Sequence, residues 1–345
     1  MHPDRLTDVP VGDLSTLLVW GAVTAFTIAL VAYSVDLARV ADASAHSQRR
    51  LAAVSARPAG IEAPASRDPA PFAPAGRAAG IARSTATVAT ALLLGGVVLR
   101  GVAAGRWPTA NMYEFTIFGI LVAALVFLGV RRTRMLPFVG VLVTGIAVLA
   151  LIVALNSFYL RADAVQPALQ SYWLVIHVSI AIVATGIFTV AFTTSVLQVL
   201  QDGRETGHSR LDRPWRAGDE LRRALRRWRI TGPTWSWLKT VPTAVRLEAL
   251  SFRLNAIAFV LWTLTLIGGA IWAEQAWGRY WGWDPKEVAT FVAWVVYAAY
   301  LHARTTRGWQ GRRAAYLVYV GYAVVIANFT VVNLFINGKH SYSGI

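Results

Sequence analysis

The sequence predicts an all-α, polytopic membrane protein with about eight transmembrane helices. Hydrophobic residues make up 56% of the 345 residues, charged residues only 15%, and mean hydropathy is +0.49. This composition is typical of chains that cross a bilayer repeatedly. Eight apolar runs are long enough to span a hydrocarbon core about 30 Å thick. They lie near residues 14–36, 84–104, 113–130, 135–155, 171–199, 252–276, 287–305 and 314–336.

The distribution of basic residues predicts the orientation of these spans. Loops assigned alternately to the two sides, with the nearby helix ends, hold 26 lysines and arginines on one side and 7 on the other. The positive-inside rule therefore predicts both termini on the outer side of the plasma membrane. It also places the loop at 277–287 outside. The same bias accounts for the net charge of +15 without a nucleic-acid partner.

We divide the chain into three parts. Residues 1–40 form a tail and the first helix, and 84–345 form the main membrane domain. Between them, 41–83 are rich in Ala, Pro and Arg, which predicts a disordered cytoplasmic linker. The basic inner segment 203–250 contains an Arg-rich stretch at 211–229, which fits either an amphipathic helix on the anionic inner leaflet or a solvated basic loop.

The chain contains no cysteine. It therefore has no disulfide, no thiolate ligand and no redox CxxC motif of its own. Phosphate-binding loops and the HExxH and GxSxG motifs are also absent from the sequence, so we predict no catalytic nucleophile. Any thiol chemistry must use the thiols of another protein.

A dense aromatic stretch separates the sixth and seventh apolar runs. Its aromatic residues are Trp277, Tyr280, Trp281 and Trp283, and Asp284 closes it before a proline. The stretch fits a platform for a large flat apolar ligand, or an aromatic belt at the membrane interface. The Asp-Pro pair also fits the start of a helix.

Two histidines are predicted at the same outer level as this loop. His177 lies about six residues, or roughly 9 Å, into the fifth span, and His340 directly follows the last span. A histidine inside an apolar helix is a functional candidate by default. Taken singly, each of the two fits a structural hydrogen bond better, whereas two at one depth beside the aromatic loop favour a bis-imidazole metal site. Without cysteines or a local carboxylate cluster the pair fits zinc poorly. Haem iron held by two axial imidazoles fits better.

His302 lies at a different depth. It is fifteen residues beyond Glu287 and so roughly 22 Å further along the seventh span, near the inner leaflet. It fits an interfacial anchor beside Arg304. As a haem ligand it would need an axial partner from another subunit, because this chain has no second histidine at that depth.

From about residue 84 to the C-terminus the chain resembles the CcsA/ResC family of System II cytochrome c biogenesis proteins, called CcsB in some lineages. The tryptophan-rich WWD motif at 277–287 is the most specific shared feature. The other matching segments are Asn111-Met112-Tyr113-Glu114-Phe115, Gln170-Ser171-Tyr172-Trp173 with His177, Leu247-Glu248 with Ser251-Phe252-Arg253, Tyr300-Leu301-His302-Ala303-Arg304 and His340-Ser341-Tyr342.

The resemblance implies a protein that binds haem b, presents it on the outer face and supports its thioether attachment to the CxxCH motif of apocytochrome c. It implies that His177 and His340 are the outer axial ligands and His302 the transmembrane haem ligand. The WWD residues would hold the haem. Independently of the resemblance, Arg279 and Lys286 fit either propionate contacts or interfacial anchors.

The resemblance also implies partners. These are a ResB-type membrane protein and the apocytochrome, and the chain would be the haem-handling subunit of a holocytochrome c synthase (haem lyase) complex. A thioredoxin-like thiol reductant is a further candidate partner. The alternatives are a haem carrier without ligation activity, a System I-type WWD protein, and a structural membrane subunit whose aromatics only anchor it.

Overall fold

The computed structural model describes residues 10–55, 77–129, 136–162, 171–207, 209–214, 218–306 and 309–340. These residues form helices joined by short turns, and no strand occurs among them. The predicted all-α architecture is confirmed. The helices are α1 (Val11–Ser55), α2 (Arg77–Ala104), α3 (Met112–Gly129), α4 (Leu136–Ser157), α5 (Tyr172–Glu205), α6 (Asp219–Leu225), α7 (Ala244–Trp277), α8 (Pro285–Thr305), α9 (Arg312–Phe329) and α10 (Val331–Phe335).

Seven candidate spans are long and apolar enough to cross a membrane within the described part of the chain. Six come from α1, α2, α3, α4, α5 and α7, and the seventh combines α9 with α10. The eighth predicted span corresponds to α8, whose 21 residues measure about 31 Å and are also long enough. It is less apolar because Lys286, Glu287, His302 and Arg304 lie near its ends.

Local sequence signals fix the helix ends around the aromatic loop. Helix α7 ends at Gly278, which adopts a left-handed conformation (φ 71°) that glycine tolerates without strain. Helix α8 begins with a capping box. The Asp284 side chain accepts a hydrogen bond from the Glu287 backbone N–H, and the Glu287 side chain accepts one from the Asp284 backbone N–H. Pro285 occupies the first turn, where its missing N–H leaves no bond unmade.

The helices pack around three apolar cores. One core joins α1, α2, α3 and α4, and a second joins α5, α7, α8 and α9 through Phe188, Trp262 and Tyr297. The third core connects these two sets of helices, because α1, α2, α3 and α4 meet α5 and α7 there. The start of α1 contacts the end of α4 through Thr16 and Tyr159. The loop that follows α2 lines the same cavity as His340. The described chain therefore enters and leaves the bundle at one end.

The structure describes parts of the two connecting segments. Helix α1 continues to Ser55 and α2 begins at Arg77, so both ends of the predicted disordered linker are helical. The composition explains this, because residues 41–55 lack Pro and Gly and contain good helix formers such as Ala, Arg and Leu. Residues 56–76 lie outside the described ranges. Within the Arg-rich stretch the described residues form α6 and short 3₁₀ turns.

Candidate functional site

A cavity lies where α5 begins, α7 ends and the aromatic loop leads into α8. The space between its atoms is about 1240 Å³, a figure that includes open solvent at its mouth. Its wall is largely apolar and carries a few convergent polar groups. The lining includes Asn111, Phe115, His177, Trp262, Trp272, Tyr280, Trp281, Lys286, Asn328 and His340.

His177 reaches the cavity from α5. Its Nδ1 lies 2.8 Å from the carbonyl oxygen of Thr265 on α7. Because a carbonyl oxygen only accepts, Nδ1 must carry the proton, which leaves Nε2 with a free lone pair. Gly269 makes room for the ring, since a Cβ there would lie 2.7 Å from Cε1 and 2.9 Å from Nδ1. The fixed ring orientation is the one that metal-ligating histidines adopt.

His340 reaches the cavity from the C-terminal segment. Its Nδ1 donates to Oδ2 of Asp284 at 2.7 Å, and the Lys339 amide donates to Oδ1 of the same carboxylate. Burial alone would raise the pKa of Asp284, but the bonds from His340 and the backbone amides lower it to about 2. The carboxylate's stabilising effect is therefore complete above its ordinary pKa of 3.8 and is lost as the pH falls toward 2.

Trp272 contacts both of these histidines. Its ring is almost parallel to His177, with centroids 6.3 Å apart, and its centroid lies 5.6 Å from that of His340. Trp277 contacts both Trp272 and His340 edge-on, each at 4.9 Å. The side chain of Trp272 is 1% exposed, so it is a fixed part of the wall. The structure thus brings the two predicted histidines to one aromatic cluster.

The aromatic loop contributes unequally to the cavity. Tyr280 and Trp281 line it, while Trp283 is 77% exposed and packs edge-on against Trp281. Trp283 also has a positive φ of 58°, which is rare for a bulky residue and turns the chain into α8. Arg279 packs over Gly282, where a Cβ would lie 2.7 Å from its guanidinium.

A cluster of polar side chains lies in the cavity wall beside α8. The Lys286 ammonium donates to the Asn328 carbonyl at 3.0 Å and to Oδ1 of Asn333 at 2.7 Å. The Asn328 amide donates to Thr290, and its Oδ1 is buried without a hydrogen-bond partner among the residues described. An unmade bond at a cavity wall indicates that a ligand or water is meant to complete it.

The loop between α2 and α3 forms the remaining wall and depends on Glu114. The two carboxylate oxygens of Glu114 accept bonds from Arg100, from both terminal nitrogens of Arg106 and from the Ala110 amide. Glu114 is fully buried and Arg100 is 1% exposed. Asn111 caps the start of α3 through the Glu114 amide. The network holds residues 106–111 against the cavity.

His302 is not part of this cavity. It lies near the last turn of α8, at the far end from Asp284, and its side chain is exposed. Close by, Arg304 pairs with Glu248 of α7 at 2.6 Å. The structure therefore separates His302 from His177 and His340, as their depths in the sequence predicted.

Sequence reasoning did not identify Trp272, Thr265, Gly269 and Lys286's two asparagine partners as parts of the site. A tryptophan and a glycine pair inside an apolar run read as ordinary helix packing. Only the register of α5 against α7 reveals that they surround His177. Glu114 carried a usable signal, because a carboxylate at the start of an apolar run must find partners when buried.

We expect Gly269→Ala to displace the His177 imidazole. The new Cβ would overlap the ring, and overpacking of this kind costs about 1–3 kcal/mol. The purified variant should unfold at a lower temperature in detergent than the unchanged protein. Gly119→Ala is the matched control, because a Cβ there would meet nothing within 4 Å. Equal unfolding midpoints for the two variants would contradict the role given to Gly269.

Comparisons with known proteins agree with this architecture. The family model described as "Cytochrome C assembly protein" matches residues 109–340. The cytochrome c biogenesis protein CcsA of Synechococcus sp. (strain CC9902) is 36% identical over 272 residues, covering 76% of this chain and 86% of that protein. CcsA of Prochlorococcus marinus (strain MIT 9303) is also 36% identical, covering 74% of this chain and 81% of that protein.

A solved structure shares the fold. The cytochrome c haem lyase CcmF superposes with a TM-score of 0.60 and 15% sequence identity, covering 95% of this chain and 48% of that one. This chain thus spans about half the length of CcmF, and at that identity the likeness concerns the fold alone. The family match covers most of the chain, including His177, the aromatic loop and His340. The chain therefore belongs to the cytochrome c assembly protein family and acts in cytochrome c biogenesis.

Proposed function

We propose that the cavity binds haem b with His177 and His340 as axial ligands and presents it for thioether attachment to the CxxCH motif of apocytochrome c. One observation carries this proposal. Each imidazole is held through Nδ1 by an acceptor, Thr265 O or the Asp284 carboxylate, which leaves Nε2 available. Metal-ligating histidines are typically held in this way. The family membership supports haem as the ligand.

The rest of the wall suits the chemistry of haem. Trp262, Trp272, Tyr280 and Trp281 supply apolar and aromatic surface for a porphyrin. Lys286 places a positive charge in the cavity and uses two of its three N–H donors on Asn328 and Asn333. We assign Lys286 the contact with a propionate. Arg279 is a second candidate from the rim of the loop.

The reaction adds the S–H of each apocytochrome cysteine across a haem vinyl group. The sulfur bonds to one vinyl carbon and the hydrogen goes to the other, so no external oxidant is required. This chain offers no thiol and no nucleophile. Its contribution is to position the vinyl groups near the incoming thiols, which can supply a large part of a barrier. Axial histidines also tune the iron potential.

We further propose that the site faces the extracytoplasmic side of the plasma membrane and works with a ResB-type partner. The orientation rests on the bias of basic residues toward the opposite side. An exposed His302 at the inner end of α8 supports a second haem contact shared with that partner. A thioredoxin-like protein would keep the apocytochrome thiols reduced.

Reconstitution tests the proposed function directly. The chain is purified alone and with its ResB-type partner, loaded with haem and supplied with reduced apocytochrome c. The proposal expects a haem spectrum and a product whose haem resists acid-acetone extraction. An apocytochrome with both CxxCH cysteines changed to serine is the control. Haem binding without a covalent product would instead establish a carrier, and no haem binding would indicate a structural subunit.

We expect the aromatic loop to provide apolar contact area for the haem and no ligand for the iron. We expect the triple change of Trp277, Trp281 and Trp283 to Ala to lower haem occupancy although both histidines remain. Trp281→Ala alone should account for most of the loss, because Trp281 lines the cavity and Trp283 is largely exposed. Trp309→Ala, a half-exposed tryptophan outside the site, is the control. Unchanged haem content in a folded triple variant would favour membrane anchoring.

His302→Ala should affect haem supply and leave the outer ligands intact. Because His302 has no histidine at its depth in this chain, an inner haem requires the partner. The purified complex should lose one haem in the variant, whereas the chain alone should show the same haem content in both versions. Haem-to-protein ratios and spectra measure this. Unchanged haem content and maturation in the complex would make His302 an interfacial anchor.

A further inference from the structure

An apolar stripe lies exposed on the segment between α5 and α7. Leu221 and Leu225 on α6 and Trp228 on the adjoining 3₁₀ turn are spaced four and three residues apart, so they share one side of the helical segment. Their exposed fractions are 58%, 37% and 53%. Helix α6 has no buried residue. A helical segment with large apolar groups along one solvent-exposed side needs a partner surface.

Positive charge surrounds this stripe. Residues 209–229 contain eight arginines and three acidic residues. Asp219 pairs with Arg222 at 2.5 Å and with Arg223 at 3.0 Å. Arg229 approaches Asp212 only to 3.9 Å. The acidic residues thus offset less than half of the positive charge, and the excess suits an anionic surface.

The segment is fixed at the end of the bundle opposite the cavity. It joins the end of α5 to the start of α7, whereas His177 lies near the start of α5. The Trp228 carbonyl accepts a bond from the indole of Trp235. Arg204 of α5 donates to the Trp235 carbonyl, and Trp237 stacks on Phe138 of α4. The stripe is therefore held beside the ends of the membrane helices.

We propose that residues 219–228 form an interfacial contact with the anionic headgroups of the bilayer. Leu221, Leu225 and Trp228 enter the headgroup boundary, and the flanking arginines contact lipid phosphates. An exposed apolar stripe, excess arginines and attachment to the membrane helices together favour lipid over a soluble protein. This contact is independent of haem binding and holds one end of the bundle at a defined depth.

The absence of cysteine makes the test clean, because a single introduced cysteine is the only labelling site. Leu225→Cys carries a nitroxide in the full chain, reconstituted in nanodiscs of phosphatidylcholine with or without phosphatidylglycerol. Glu220→Cys is the matched control, since it is exposed and lies roughly 140° around the helix from Leu225. Power saturation compares accessibility to oxygen and to a water-soluble nickel chelate. Haem titration checks that each variant is folded.

The expected result is nickel protection of the Leu225 label in anionic nanodiscs only, with the Glu220 label accessible in both. Changing Arg223, Arg226 and Arg229 to Gln should lower the docked fraction, on the order of 100-fold in its equilibrium constant, because each basic residue near an anionic surface contributes roughly fivefold. A Leu225 label that stays nickel-accessible overturns the proposal. Protection that ignores lipid charge, or that requires the ResB-type partner, overturns it too.

Discussion

Replacing His177 or His340 by alanine is expected to abolish cytochrome c maturation while part of the bound haem remains. Burial of roughly several hundred Å² of porphyrin at about 25 cal/mol per Å² gives on the order of 5–10 kcal/mol as an upper estimate. The aromatic wall and one histidine therefore retain haem. The iron potential and the direction of the haem plane both depend on the missing ligand, so attachment fails.

Haem content, the visible spectrum and covalent product in cells measure this result. External imidazole should enter the space left by either side chain and restore part of the product. His46→Ala is the control, because His46 is exposed on α1 and bonds only locally to the Asp42 carbonyl. Normal maturation in a histidine variant without imidazole would contradict axial ligation. Complete loss of haem would show that the aromatic wall contributes less binding free energy than its buried area indicates.

Changing Glu114 to Gln is expected to destabilise the end of the helix bundle that holds the cavity. The amide keeps the shape of the side chain but leaves the buried Arg100 without its counter-charge, and Arg106 with it. Removing one partner from a buried ion pair costs about 3–5 kcal/mol. The loop at residues 106–111 should loosen, and it forms one wall of the cavity.

Thermal unfolding in detergent and haem titration distinguish the two consequences. We expect a lower midpoint and weaker haem binding, with the spectrum of the remaining bound haem unchanged because both axial histidines stay in place. Glu220→Gln on exposed α6 removes the same charge without burial and serves as the control. Equal midpoints for the two variants would show that Glu114 is not a structural centre of the loop.

Most of the architecture follows from the sequence because long apolar runs have few ways to satisfy their backbone in a membrane. The helices around His177 and His302 lie where hydropathy predicts. The extension of α1 through Ser55 did not follow, because composition alone does not separate a polar helix from a flexible linker. Helix propensity of the Ala-rich residues carried more information there than their low hydrophobicity.

The sequence predicted the depth at which the site lies along the helices, but only some of the residues that form it. Counting residues along the spans placed His177 and His340 beside the aromatic loop, and the structure brings them to one cluster. The contact of Trp272 with both histidines depends on how α7 is rotated against α5, which no local pattern specifies. The unequal exposure of Trp281 and Trp283 likewise depends on the positive φ of Trp283.

Asp284 couples the position of His340 to that of helix α8. The same carboxylate begins the helix and orients His340, so the imidazole follows any movement of that end. The other end of this rod, about 31 Å long, carries the exposed His302. A tilt of α8 that starts at the His302 end would therefore redirect the His340 imidazole at the opposite end of the helix.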